Sequence, residues 1–315
     1  MRIFVTGASG WIGSAVVSEL LDADHQIIGL ARSQESAVAL RAAGVDVLLG
    51  DLDDLDVLRS AASASDGVIH LAFKHDLAFS GGFQAAADAD RLAVDAMVEA
   101  LVDSDRPFVL ASGLLGVAPG RVATENDGHV PDSAHAGLGG GPQTRWETAE
   151  FVLSQASRGV RSSVVRLPPT NHGDGDNGFM ASIINIARDK GVSGYVGDGA
   201  NRWPAVHRLD SAKLFRLAVE GAPAGATLHA VADEGVAIRD IANAISRHLD
   251  LPEVSISPED APEHFAWMAN FVAMDAPASG TFTQELLDWR PVQPGLIADL
   301  DEGHYFSGAV TPFNA

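Results

Sequence analysis

The 315-residue sequence contains no cysteine. Disulfides, thiolate nucleophiles and cysteine-ligated metals are excluded at once. Lysine is nearly as scarce, with only Lys74, Lys190 and Lys213, and there are two tyrosines, Tyr195 and Tyr305. Positive charge as a whole is short: 21 Lys and Arg stand against 42 Asp and Glu, a net charge of −21. A surface of that sign repels polyanions, so neither nucleic acid nor an anionic membrane is an expected partner. No apolar run reaches the length of a membrane span. The sequence enters a strand-like run at once, without the charged and apolar segments of a leader, so a cytoplasmic protein is expected. The 11 histidines show no H-E-x-x-H or similar ligand spacing, so no metal site is expected.

What is present is a core and a glycine ladder. Hydrophobic residues make up 46% of the chain, enough for one large or two modest domains. Thr6-Gly7-Ala8-Ser9-Gly10-Trp11-Ile12-Gly13 follows the apolar run Ile3-Phe4-Val5 and precedes Val16, Val17, Leu20 and Leu21 at helical spacing. Strand, tight glycine turn and helix is the context in which such a ladder points to a dinucleotide. Gly7 permits the sharp turn, Gly10 lets backbone approach a pyrophosphate, and Gly13 allows close helix–strand packing. The free N–H groups of the new helix favour phosphate.

The first half alternates short apolar runs with helical patterns. Gln26–Ala31, Val45–Leu49, Gly67–Ala72, Phe108–Ala111 and Ser162–Leu167 read as further strands. Gln34–Ala43, Asp53–Ala64, Ala85–Asp105 and Thr144–Arg158 read as the helices between them. This order predicts an α/β fold, a Rossmann-type doubly wound parallel sheet with right-handed crossovers. After Leu167 the pattern changes, and Pro168–Gly178 reads as loop. Residues 1–167 are expected to form the dinucleotide domain, with 203–232 returning to it. Residues 168–202 and 233–315 are expected to form a smaller C-terminal, substrate-side domain. Val206–Leu209 and Thr227–Ala232 read as short strands around a helix.

With the ladder placed, the chain resembles an extended short-chain dehydrogenase/reductase, the superfamily of epimerases, dehydratases and hydroxysteroid-type dehydrogenases. Gly50-Asp51-Leu52, His70-Leu71-Ala72, Val109-Leu110-Ala111-Ser112, Val165-Arg166-Leu167-Pro168-Pro169 and Val206-His207-Arg208-Leu209-Asp210 carry the resemblance alongside the ladder. It implies that Asp51 and Leu52 meet adenine and that Leu71, Ala72 and Phe73 line the ribose. It further implies that Pro168 or Pro169 sits near the nicotinamide. Gly7, Ser9, Gly10, Trp11, Ile12 and Gly13 would form the phosphate loop. It also implies a homodimer through Ala85–Asp105 and Thr144–Arg158, with Leu92, Met97, Val98, Leu101, Val102, Phe151, Val152 and Leu153 as the apolar residues available to it.

The second strand ends in Ala31-Arg32-Ser33 where an NAD site usually carries Asp or Glu. Arg32 can fork onto a 2′-phosphate and Ser33 can add a hydroxyl, so NADP is the expected cofactor, with NAD possible as a second.

The superfamily's catalytic Tyr-x-x-x-Lys is absent. Gly199 and Ala309 stand four residues after Tyr195 and Tyr305. If Glu150 marks the Glu common in that helix, Pro142 and Trp146 fall on the Tyr and Lys positions. After the fifth strand Ser112 is the nearby hydroxyl, although the catalytic slot could instead fall on Leu114. A substitute proton donor is therefore expected among the loop histidines. His172 leads, since the chain leaving the sixth strand carries it over the nicotinamide side. His129 and His135 in the long loop are the alternatives, and His75 is a further one. Asn201-Arg202-Trp203 and Phe265-Ala266-Trp267 are expected on the substrate side. Two readings stand. One is an NADP-dependent oxidoreductase acting on a small-molecule carbonyl, alcohol or sugar-derived substrate with a non-standard proton donor. The other is a catalytically silent NADP(H)-binding sensor. An epimerase or dehydratase activity is the weakest reading, because it needs the missing Tyr.

Overall fold

The structure, a computed structural model, describes residues 1–128 and 140–307. In chain order the strands are β1 (Arg2–Thr6), β2 (Gln26–Ala31), β3 (Asp46–Leu49), β4 (Gly67–His70), β5 (Pro107–Gly113), β6 (Arg161–Leu167), β7 (Thr170–His172), β8 (Ser193–Val196), β9 (Arg202–His207), β10 (Ala226–His229), β11 (Asp233–Ala237) and β12 (Glu253–Ile256). The longer helices are α1 (Trp11–Asp22), α2 (Gln34–Ala42) and α3 (Leu55–Ser63). After the short turn α4 (His75–Leu77) come α5 (Phe83–Glu99), α6 (Gly140–Ser154), α7 (Phe179–Lys190), α8 (Arg208–Gly221) and α9 (Ile238–Leu249).

Seven strands form one sheet in the order β10-β6-β5-β4-β1-β2-β3, and every neighbouring pair is parallel. Alternation along β1 sends Ile3 and Val5 to one face and Phe4 to the other. The first face is covered by α1, α2 and α8 through Val16, Leu20, Leu40, Leu214 and Phe215. The second is covered by α3, α5 and α6 through Leu58, Val94, Met97 and Val152. Both faces are therefore dry, as a parallel sheet requires, and the doubly wound fold expected from the strand–helix alternation is present.

The remaining elements gather around a second core that holds Trp203, Ile241, Ile245, Phe265 and Leu300. Here β11 and β9 pair antiparallel, β9 and β7 parallel, and β12 with β8 parallel. Two expectations need correction. Pro168–Gly178 is not all loop, because Thr170, Asn171 and His172 find ladder partners in Ala205, Val206 and His207. The strand expected at Val206–Leu209 lies earlier, at Arg202–His207, and the His207 side chain accepts from Leu209 N at 3.2 Å to start α8. Among the residues expected to meet a partner copy, Met97, Val98, Leu101 and Val152 are fully buried in the chain's own core, while Leu92 is 55% exposed. Among the described residues no helix is long and apolar enough to cross a membrane.

Candidate active site

The glycine ladder forms the turn from β1 into α1. Gly7 has φ +69°, and a Cβ on it would stand 2.8 Å from the backbone nitrogen of Ala72. A Cβ on Gly13 would stand 1.9 Å from the Gly7 carbonyl oxygen, which no side chain can tolerate. Gly10 N donates to that same oxygen at 3.0 Å. Ser9 and Gly10 are exposed, Trp11 and Ile12 half-buried, and no side chain caps α1. A bare helix start facing open space is a site for an anion, so these residues fit a dinucleotide pyrophosphate.

Thr6 joins the loop to the next strand. Its hydroxyl accepts from the N–H groups of Leu71 and Ala72, both at 3.2 Å, and donates to His70 Nδ1 at 2.7 Å. Leu71 N also reaches the Thr6 carbonyl at 3.3 Å, so the β1–β4 ladder closes on Thr6 at His70. Leu71, Ala72 and Phe73 then line the cleft half-buried.

Arg32 and Ser33 lie at the exposed end of β2. Arg32 Nη2 is 3.1 Å from Asp76 Oδ2, with both side chains about 70% open. Such an exposed pair is worth little and leaves the guanidinium free to exchange partners. Ser33 caps α2, accepting from Ser36 N at 3.1 Å. Asp51 shapes the turn into α3: its Oδ1 accepts from Asp53 N at 2.7 Å, while Leu52 is buried beneath it. Lys74 pairs with Asp53 at 2.5 Å.

The chemistry-bearing centre has no counterpart in any local sequence pattern. His70 Nε2 donates to Asp90 Oδ1 at 3.1 Å, and Asp90 Oδ2 faces Arg145 Nη1 at 3.4 Å. Arg145 Nη2 donates to the Ala111 carbonyl at 3.1 Å, and its guanidinium lies 4.1 Å above the Phe73 ring. Burial works to raise the pKa of Asp90, but the Arg145 charge and the His70 bond outweigh it and hold the carboxyl below its usual range. One connected relay thus runs from β1 through β4 and α5 to a cation at the ends of β4 and β5. Arg145 is one residue before Trp146, which falls on the expected Lys position. The only signal for it in the sequence is an isolated positive charge on that helix. Ser112 lines a narrow cavity with Trp146, Glu150 and the buried Arg166. Arg166 Nη1 donates to the Asp127 carbonyl at 2.7 Å. Pro168 is buried at the end of β6.

The expected proton donor His172 is placed differently. It is 0% exposed; its Nδ1 donates to Asp299 Oδ2 at 2.8 Å, and its ring lies edge-on to His207. His304 donates to the other oxygen of Asp299 at 3.0 Å. Burial works to raise Asp299, but these two bonds hold it low. Beside them Tyr305 donates to Asp176 Oδ2 at 2.8 Å and accepts from Gly173 N at 3.1 Å. His172 is therefore sealed in the smaller domain, because β7 pairs with β9 instead of running over the cleft. His129 and His135 lie outside the described residues. Asn201 donates to the carbonyls of Val272 and Met274, and Arg202 forks onto Asp275, so both tie β9 to the 272–275 segment.

Comparison with known proteins agrees with this geometry. Residues 3–133 match the model of the NAD dependent epimerase/dehydratase family. An uncharacterised protein of Schizosaccharomyces pombe is 44% identical over 97% of this chain and 100% of its own length. A 4-hydroxy-2-methyl-3-oxo-4-farnesyl-3,4-dihydroquinoline-1-oxide ketoreductase of Stigmatella aurantiaca is 28% identical, covering 71% of this chain and 66% of its own. A dTDP-glucose 4,6-dehydratase from Streptomyces venezuelae, solved with NAD bound, superimposes with a TM-score of 0.74 at 19% identity, covering 96% of each chain. With the open glycine turn, the parallel sheet and these matches together, the chain belongs to the NAD-dependent epimerase/dehydratase family of extended short-chain dehydrogenases/reductases.

Proposed function

We propose that the protein is an NADP(H)-dependent carbonyl reductase in which Arg145 replaces the missing Tyr–Lys pair. The observation that carries this reading is the fixed guanidinium at the ends of β4 and β5, held by Asp90, the Ala111 carbonyl and the Phe73 ring. The ketoreductase relative, named for reduction of a ketone, supports the reaction type. Arg32 supports the choice of NADP(H), because its exposed pairing with Asp76 yields to a 2′-phosphate at small cost.

NADPH, held by the glycine turn and Arg32, would supply the hydride when bound. The chain holds the negative charge that then develops on the carbonyl oxygen. Arg145 suits that role because it cannot deprotonate, and among the described residues Asp90 and Ala111 use two of its five N–H groups. Water supplies the proton that completes the alcohol. His75 does not act as an imidazolium acid. The residue is exposed, with its ring set against those of Phe73 and Phe79. Its pKa is pushed down to about 4, first by desolvation and next by the Arg145 charge. It is neutral at pH 7, so no rate limb from it is expected between pH 6 and 8.

Arg145→Met should lower kcat with a panel of aldehydes and ketones by about a hundredfold or more, the scale of losing one preorganised oxyanion partner. Arg145→Lys should recover part of it. Full activity in Arg145→Met would remove Arg145 from the reaction. Tight NADPH binding without turnover of any carbonyl would favour the sensor reading.

A further inference from the structure

We infer that the substrate is a flat apolar carbonyl compound, aromatic or conjugated, rather than a sugar nucleotide. This rests on the reductase reading above. What carries it is a belt of aromatic rings that starts at the proposed reaction centre and crosses to the smaller domain. Phe73, which carries the Arg145 guanidinium, lies 5.1 Å from the His75 ring and 5.8 Å from Phe83. His75 stacks on Phe79 at 6.0 Å. Phe79 meets Trp267 at 5.4 Å, and Trp267 meets Phe179 at 5.6 Å and Phe271 at 6.0 Å.

These rings are not a finished core. Trp267 is 38% exposed, and Phe73, Phe79, Phe83, Phe179 and Phe271 are all only half-buried. A contiguous, incompletely covered aromatic surface beside a polar reactive group is the signature of a small-molecule pocket. Offset and edge-on ring pairs at these distances also favour a further planar ring.

Charge points the same way. A sugar nucleotide brings at least two negative charges that need cationic partners. The belt's own residues offer none, and the chain as a whole carries −21. Arg202, next to Trp203 on β9, has Nε and Nη2 closed onto the two oxygens of Asp275 at 3.1 and 3.0 Å. Arg145 provides one fixed charge, suited to a single carbonyl oxygen.

The test compares 2-naphthaldehyde with glyceraldehyde in NADPH oxidation, and measures 2-acetonaphthone and UDP-glucose binding to the NADPH-loaded protein by calorimetry. The expected kcat/KM ratio of 2-naphthaldehyde to glyceraldehyde is about a hundred or more. Trp267→Ala and Phe79→Ala, two variants from distant parts of the chain, should each cut that ratio about tenfold and weaken 2-acetonaphthone binding alike. A ratio near one, micromolar UDP-glucose binding, or indifference of both variants would overturn the inference. If no carbonyl is reduced, the reductase reading fails. The calorimetry then decides the belt alone: binding weakened by both variants upholds it, and no binding overturns it.

Discussion

Thr6 and His172 show how differently the two halves of the molecule use their buried polar groups. Both sit at the end of a strand that leads into a loop. Thr6 collects two backbone N–H groups and a histidine ring, and in doing so presses β1 against β4 and leaves the glycine turn open to solvent. His172 instead turns inward, onto Asp299, with Tyr305, Asp176 and His304 completing a closed cluster. In the dinucleotide half, polar bonding shapes a backbone surface that a ligand can meet. In the smaller domain it joins distant segments of chain: the His172–Asp299 bond alone spans 127 residues. A histidine in a loop after a strand is thus no sign of access; what matters is the strand with which that loop pairs.

The largest effect should come from Gly13. In Gly13→Ala the new Cβ would collide with the Gly7 carbonyl at 1.9 Å, so the turn itself must shift. We expect NADPH affinity to fall by about a hundredfold or more, together with a lower Tm. Gly10→Val separates the two causes. A Cβ there meets only the Gly7 oxygen, at 3.1 Å, and projects from an exposed position. That variant should lose cofactor binding with its Tm nearly kept. Fluorescence titration beside thermal melting checks both, and equal Tm losses would put the ladder on the same footing as any tight turn.

The contrast also explains what is legible in the sequence. The glycine ladder is eight consecutive residues, and its turn geometry follows from glycine's lack of a side chain, so spacing alone reveals it. The doubly wound sheet follows from short apolar runs alternating with helical ones. The Arg145 centre draws on residues 6, 70, 90, 111 and 145, brought together by strand order and helix packing. No local pattern encodes it, and the Tyr and Lys slots point one residue away from the cation. The aromatic belt escapes for the same reason, since Phe79 and Trp267 are 188 positions apart in the chain yet their rings lie 5.4 Å from each other. The place of His172 is hidden because β7 exists only through its ladder with β9, a pairing across 35 residues.

A smaller effect, confined to the cofactor half, is expected at Arg32. A charge-assisted fork to a phosphate is worth roughly 1.5–3 kcal/mol. Arg32→Ala should therefore weaken NADP(H) about ten- to a hundredfold, and NAD(H) by less than about threefold. Equal losses for the two cofactors would remove Arg32 from 2′-phosphate recognition. Asp76→Asn sharpens the point: freeing the guanidinium of its 3.1 Å partner should strengthen NADP(H) slightly, by no more than the small worth of an exposed pair.

The smallest effect on the cofactor belongs to the closed cluster, whose change should appear in stability instead. Asp176 is buried, and its pKa is raised to about 6, chiefly by burial, with the Asp299 charge adding to the rise and the Gly178, Tyr305 and His172 interactions opposing it. The unfolded chain releases this proton near pH 3.9. The folded state therefore binds it more tightly, so folding is favoured at low pH. Its stability contribution falls as pH rises from about 4 to about 6 and stays flat above. A shift of about two units corresponds to about 3 kcal/mol. Asp176→Asn removes that titration. Its stability relative to the parent should climb by about this amount between pH 4 and pH 7, whatever constant offset the changed bonds to Tyr305 and Gly178 introduce. Taking the difference between the two proteins also cancels the self-repulsion of a chain with net charge −21. Urea titrations across that pH range measure it, with NADPH affinity expected to change by less than about twofold. A difference that is flat with pH would mean the carboxyl already ionises normally. A difference that falls with pH would mean its charge supports the cluster, and the two halves would then be less unlike than their geometry makes them.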